Sequence, residues 1–282
     1  MTYPIEWYRQ IKKDVIMSAR TANICRKLIP VRAVPGGIGT QQWSYNKMSE
    51  VSEAQISWAV NIDNEDMIAL TPTNAPIPVL HKEFRIGARD IKSAQNGGYP
   101  ISTQTAASAA YRVTNLENTL VMDGYKADGT NYDIKGLYQS AGNTEATADD
   151  FGTAGKALDK IGKAIALMQA DEIYGPYNLV LNHTQYAELA VSILGSGAGQ
   201  AEMPLVERLL GGGQIFSTSF QTAGTGMFMS TPNPMFFELV VPQDMNTKTV
   251  VEPKTEDLWG QVFECVLPVI YEPNAICALT GI

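Results

Sequence analysis

Glu172-Ile173-Tyr174-Gly175-Pro176-Tyr177-Asn178-Leu179-Val180-Leu181-Asn182 is the stretch on which the reading of this chain turns. A Gly-Pro turn feeds a β-rich run from Tyr177 to Leu181, and a helix begins near Thr184. Its counterpart is Glu272-Pro273-Asn274-Ala275-Ile276-Cys277-Ala278-Leu279, a Pro-Asn turn followed by a short apolar strand that closes the sequence. Neither segment has the make-up of a catalytic site, so both point to architecture.

Working outward, 282 residues are enough for a large core and one or two domains. Charged residues are 18% of the chain against 45% apolar, a weakly charged surface that suits burial against further copies of itself. The net charge of −8 argues against sequence-unspecific nucleic-acid binding through a broad basic face. Basic residues concentrate early, at Arg9, Lys12, Lys13, Arg20, Arg26, Lys27 and Arg32. They fit the solvated side of an N-terminal helix, or an inner surface facing a cargo or genome. Cys25, Cys265 and Cys277 are odd in number and far apart, which suits small buried hydrophobes in a reducing compartment. His81 and His183 are the only histidines, too few for a His-rich metal site. No apolar run approaches the ~18 residues of a membrane span, so a soluble, cytoplasmic protein without membrane partners is expected.

Along the chain, Ile5, Tyr8, Ile11, Val15 and Ile16 recur at helical spacing and predict an amphipathic helix ending before Pro30. Trp43 and Tyr45 open a β segment. Ile56, Trp58, Val60 and Ile62 then alternate on one face, Asp63 to Asp66 form a polar tip, and Met67 to Leu70 return. A two-stranded hairpin is marginal alone in water, so this one rests on the parent domain or a neighbour. Thr71 to Pro78 read as an extended proline-rich connector, Val79 to Ile86 as a strand and Ala88 to Gln95 as a short helix. A long helix follows over Ser102 to Met122, with Ala106, Ala109, Ala110, Val113, Leu116, Leu120 and Val121 as its buried stripe. After polar residues 125–150, helices and strands alternate: a helix through Ala157 to Met168, the strand from Tyr177, a helix over Thr184 to Leu194, and a helix over Pro204 to Leu210. Strands are predicted at 215–217, 227–230, 236–241, 247–252 and within 258–279. The class is α+β.

The order of these landmarks resembles the shell proteins of encapsulin nanocompartments, which share the Hong Kong 97-type fold of tailed-phage major capsid proteins. The resemblance rests on Val121-Met122-Asp123-Gly124 with Asp133-Ile134-Lys135-Gly136-Leu137, on Gly175-Pro176-Tyr177, on Leu239 to Met245 and on Val262-Phe263-Glu264. It implies an N-terminal helix or arm over 1–30 and a peripheral domain over 31–150 and 238–282. That domain would carry an extended loop at 52–70 and a backbone helix at 102–122, with an axial domain over 151–237. The resemblance also implies that Ile56, Trp58, Val60 and Ile62 serve assembly, with Trp58 as anchor, unless Trp58 is an ordinary strand aromatic within its own subunit. Gly195, Ser196, Gly197, Ala198 and Gly199 would border a pore, and Trp7, Tyr8, Ile11 and Val15 would face the interior and its cargo. Gly87-Ala88-Arg89-Asp90 lacks the aromatic found where some encapsulins bind flavin, so no cofactor is carried over. Arg32 to Tyr45 and Phe84 to Pro100 look at least as much like viral coat proteins. No lysine lies between Val51 and Val79, so a shell without a covalent isopeptide link is expected.

The chemistry weighed against this is thin. Gly211-Gly212-Gly213 lacks the Lys and Ser/Thr of a phosphate loop and reads as a helix-ending turn. Asp128 to Asp133 lacks the oxygen spacing of a calcium loop. Asp63, Glu65 and Asp66 form a solvated tip, and Asp149-Asp150 suit a helix start. The expectation is a structural protein and not an enzyme, which self-assembles into an icosahedral encapsulin-type shell around a cargo protein. The alternatives are a viral capsid protein enclosing DNA and, third, an α+β enzyme.

Overall fold

A computed structural model describes residues 5–48, 56, 58, 70–97, 103–194 and 199–282, and these fold as α+β. The chain begins with α1 (Ile5–Ala22), α2 (Cys25–Leu28), β1 (Val31–Ala33), β2 (Gln42–Met48), β3 (Leu70–Pro76), β4 (Val79–Ile86) and α3 (Ala88–Gly97). It continues with α4 (Gln104–Met122), β5 (Gly124–Tyr125), β6 (Ile134–Lys135), β7 (Asn143–Glu145), α5 (Lys156–Ala170), β8 (Tyr177–Asn182), α6 (His183–Val191) and β9 (Ile193–Leu194). It ends with β10 (Gln200–Ala201), α7 (Met203–Leu209), β11 (Ile215–Thr218), β12 (Thr225–Ser230), β13 (Phe237–Val251), β14 (Leu258–Ile270) and β15 (Ile276–Thr280).

A four-stranded sheet runs β1-β13-β14-β4, with β1 parallel to β13 and the rest antiparallel. The sequence pattern predicts strands at 236–241 and 247–252; β13 instead runs through both. Its pairing with β14 shifts register between Val240 and Gln243 and again between Gln243 and Asn246. The polar residues that read as a break are taken up by irregular pairing within one bent strand. Gly260 on β14 lies opposite Phe84 on β4, and a Cβ there would sit 2.1 Å from the Phe84 ring. The glycine makes room for an aromatic to lie across the strand.

Helix α4 packs on β4 and β14, and α1 packs on α4. The buried stripe of α4 is Ala106, Ala109, Ala110, Val113, Leu120 and Val121, with Thr114, Glu117 and Asn118 buried among them. Leu116, expected in that stripe, is exposed. The 3.6-residue period carries the inward face from Val113 to Glu117, a polar residue that hydrophobic patterning passes over.

The second sheet has five strands in the order β11-β8-β12-β15-β7. The two segments that open the sequence reading meet here: β8 and β15 flank β12, both antiparallel to it. Tyr177 and Phe228 pack with ring centroids 4.9 Å apart, and Asn182 caps α6 by accepting from the Thr184 amide at 3.0 Å. Residues 143–145 and 276–280, assigned by the sequence reading to the body of 31–150 and 238–282, are hydrogen-bonded into this sheet with 177–230. Apolar β15 is buried from Ile276 to Leu279, so it needed a sheet interior, which β12 supplies. Helix α6 stops at Val191 and not at Leu194. Buried Glu202 accepts from the Ser192 hydroxyl at 2.6 Å and from the Gly155 and Leu158 amides at the start of α5, which draws Ser192 out of the helix.

Thr71 to Pro76 are not a connector but strand β3, paired antiparallel with β2 from Gln42↔Pro76 to Met48↔Leu70. The Ile77 amide donates to Gln41 at 2.9 Å, which sets the phase of this ribbon. Residues 73 and 75 therefore direct their amides at β2, while 70, 72, 74 and 76 direct theirs outward. Pro72 and Pro76 thus sit where no ladder donor is lost. Thr73→Pro should open the ribbon and Asn74→Pro should spare it. Amide hydrogen exchange at Tyr45 and Ala75 measures both; equal protection in the two variants would contradict this phase.

Lys160 is fully buried on α5, and its ammonium group bonds the carbonyls of Thr147 and Thr280, the latter at 2.7 Å. It joins the segment after β7 to the end of β15. Lys160→Met leaves both carbonyls without their cation and should lower unfolding stability by about 2 kcal/mol in a denaturant titration.

Candidate assembly surfaces

The β2–β3 ribbon leaves the body at a clasp of polar and aromatic groups. Arg32 on β1 bonds Glu238 on β13 at 3.1 Å, and its guanidinium lies 5.0 Å from the centre of the Trp43 ring. The Tyr271 hydroxyl donates to the same Glu238 carboxylate, and Tyr45 meets Tyr271 edge-on, with centroids 5.4 Å apart and an interplanar angle of 89°. Burial, and then pairing with Glu238, pushes the Tyr271 hydroxyl up to about 12, so it remains a donor throughout the neutral range. Two aromatics of β2 are thereby gripped by residues from β1, β13 and the turn after β14. The ribbon has a fixed root, although it is only two strands wide.

Beyond the ribbon, Ile56 and Trp58 are fully exposed, at 102% and 107% of the reference area. Trp58 is therefore not packed as an ordinary strand aromatic on the described part of its own subunit. Val60 and Ile62, which share the alternation, lie outside the described residues. So do Gly195, Ser196, Gly197 and Ala198. Gly199 is described: it precedes β10, which pairs antiparallel with β9 through Gln200↔Leu194 and Ala201↔Ile193. A Cβ on Gly199 would stand 2.1 Å from the Leu194 carbonyl oxygen, so glycine is required for the two short strands to approach.

The N-terminal expectation needs correction. Ile11 and Val15 are each 1% exposed, enclosed where α1 packs on α4, and cannot meet a cargo. Their helical spacing marked a core stripe, not an inner-surface stripe. The side chains of Trp7 and Tyr8 lie outside the described set. The solvent-facing side of α1 carries Arg9, Lys12, Lys13, Ile16 and Met17.

One constellation went unmarked in the sequence. Arg26 on α2 places Nε 2.8 Å from Glu117 on α4, Nη1 2.8 Å from Asp244 on β13 and Nη2 3.3 Å from Glu264 on β14. Asn23 donates to the other Glu117 oxygen at 2.6 Å, and the side-chain Oδ1 of Asn118 accepts from the backbone amides of Ile24 and Cys25. In the sequence Glu264 stands out only within the Val262-Phe263-Glu264 landmark, and Arg26 only as one of seven early basic residues. The available signal was Glu117 on the inward face of α4, four residues after Val113 and three before Leu120.

Cys25, Cys265 and Cys277 are free and buried, as small hydrophobes would be. Among the described residues no cluster of His, Cys, Asp or Glu could hold a metal ion, and no helix is long and apolar enough to cross a membrane. The Asp128 carboxylate accepts from the amides of Thr130 and Asn131, both at 2.8 Å, and so serves its own turn.

The family described as encapsulating protein for peroxidase matches residues 4–249. The type 1 encapsulin shell protein EncA of Myxococcus xanthus is 26% identical over 280 residues, covering 98% of this chain and 92% of that protein. In three dimensions the chain is similar to the virus-like particle from Pyrococcus furiosus, with a TM-score of 0.71 at 19% identity, covering 97% of this chain and 99% of that one. It is equally similar to the capsid of Myoviridae phage XM1, with a TM-score of 0.72 at 16% identity, covering 93% and 92%. The fold is therefore the Hong Kong 97-type capsid fold, and the chain belongs to the encapsulin shell-protein family.

Proposed function

We propose that copies of this chain self-assemble into a closed icosahedral compartment in the cytoplasm that encloses a cargo protein. The observation that carries the reading is a ribbon clasped at its root by Arg32, Glu238 and Tyr271, with Ile56 and Trp58 beyond it in solvent. A soluble monomer gains nothing from two large apolar side chains held away from its body; a subunit that lays them on a neighbour buries them. Each contact contributes a few kcal/mol and is repeated by symmetry over every subunit, so a shell holds without covalent links. In this reading the sheet of β1, β4, β13 and β14 with α4 forms the peripheral domain. The sheet of β7, β8, β11, β12 and β15 forms the axial domain, and the β9–β10 turn borders an opening at a symmetry axis. The chain itself carries no chemistry in this role; the enclosed protein does.

A second reading, a tailed-virus coat enclosing DNA, has the likeness to the phage capsid behind it. The family match and the Myxococcus relative favour the compartment.

Negative-stain microscopy and size-exclusion chromatography of the chain expressed alone provide the test. Uniform hollow particles are expected; a monodisperse small species would remove the compartment reading. Trp58→Ala should reduce particle yield sharply and leave the subunit's circular dichroism unchanged, since a buried aromatic anchor contributes about 2 kcal/mol or more per contact. Particles of unchanged yield and stability would remove Trp58 as anchor. Boiling in detergent should release a single band near 30.7 kDa; a ladder of covalent multimers would contradict the unlinked shell.

A further inference from the structure

Glu117 and Glu264 both have side chains at 0% exposure, and a single guanidinium stands between them. The Asp244 carboxylate, the third acid on Arg26, is 71% exposed and keeps its hydration. Two buried carboxylates against one half-buried cation leave an excess negative charge where burial tolerates little. The geometry decides which acid gives way. Glu117 is served on both oxygens, by Arg26 at 2.8 Å and Asn23 at 2.6 Å. Glu264 has the longer Arg26 contact, 3.3 Å to Oε2, and its buried Oε1 has no hydrogen-bond partner among the described residues. The proton therefore belongs on Glu264.

We propose that this cluster is a proton-operated clamp: with Glu264 neutral, Arg26 fastens the N-terminal helices to α4 and the central sheet, and ionisation of Glu264 in alkaline solution releases them. The lever follows from the connections. Arg26 lies on α2, directly after α1, and reaches α4, β13 and β14 at once. A second buried anion repels Glu117 and competes for the same guanidinium. A cavity of about 170 Å³ beside Arg26, Glu117 and Asp244, walled by Ile16, Ala19 and Met245, opens the cluster toward solvent. Among the described side chains, the other titratable groups nearby do not supply a second cation to the buried pair. Cys25 on α2 and Cys265 on β14 are buried thiols. Lys248 on β13 lies over the Phe263 ring at 5.1 Å. On β4 the residue opposite Glu264 is Leu80, and its neighbours His81 and Lys82 are exposed.

Burial, and then the charge of Glu117, pushes Glu264 well above the usual carboxylate range, and burial also raises Glu117 while Arg26 draws it back. A carboxyl raised on folding keeps its proton in the native state where the unfolded chain has lost it. The stability of the site is whole below the ordinary glutamate range and is lost as pH rises through the native-state value. The clamp belongs to the single subunit and does not rest on the shell reading.

Thermal unfolding of the full chain between about pH 5 and about pH 9, wild type beside Glu264→Gln, tests the clamp. The wild-type midpoint should fall on the alkaline side. The amide variant should match it at the acid end, exceed it by several degrees at the alkaline end and vary less with pH. Wild-type hydrogen exchange over residues 11–29 should accelerate in alkali beyond the intrinsic rate. Parallel midpoint curves, or unchanged protection of that segment, would overturn the proposal. If Glu264→Gln fails to fold, infrared spectroscopy of the wild type at neutral pH replaces it. A buried protonated-carboxyl stretch that disappears in alkali supports the clamp, and its absence at neutral pH refutes it.

Discussion

β14 is out of water along nearly all of its length, and a strand buried on both faces has to be covered before anything else in the molecule can be placed. Helix α4 lies against it and against β4, with alanines at 106, 109 and 110 bringing the backbone close. That cover is complete only because α1 and α2 pack on α4 in turn. The demand of one strand thus spreads through three helices, and it explains why charged groups are drawn inside. Glu117 and Glu264 occupy the contact between helix and strand, and Arg26 reaches in from α2 to meet them.

A rigid body of this kind is what an exposed arm requires. The ribbon of β2 and β3 has no face packed along its length like that of β14, so its direction must come from its root. Trp43 and Tyr45 supply that direction by inserting ring faces and edges among Arg32, Glu238 and Tyr271. Because Glu238 and Tyr271 stand at one end of the pairing of β13 with β14, the direction of the arm is coupled to the sheet that β14 organises.

Much of this was readable in the residues. The α+β class, the long helix, the strand from Tyr177 and the fold family were all legible, because apolar periodicity and turn residues report burial locally. What escaped was non-local. Prolines at 72 and 76 suggested a connector, since their tolerance depends on which way a neighbouring strand lies. Ile276 to Leu279 could be recognised as a strand, but no local pattern says whether its partner is β12 or β14. Leu116 and Glu117 differ by one position on a helix, and hydrophobicity favoured the leucine while the period favoured the acid. The charged cluster joins residues more than two hundred positions apart, and only the packed fold brings Arg26 and Glu264 together.

The placement of Pro72 and Pro76 also sets a valence. On the outer edge of β3, two of the four outward-facing positions have no donor, whereas Gln42, Ser44, Asn46 and Met48 keep theirs on the outer edge of β2. Among the described residues the ribbon thus has one edge open to a further strand and one largely closed. Building blocks with a single open edge can pair off but cannot stack without limit, which separates a finite assembly from a fibril.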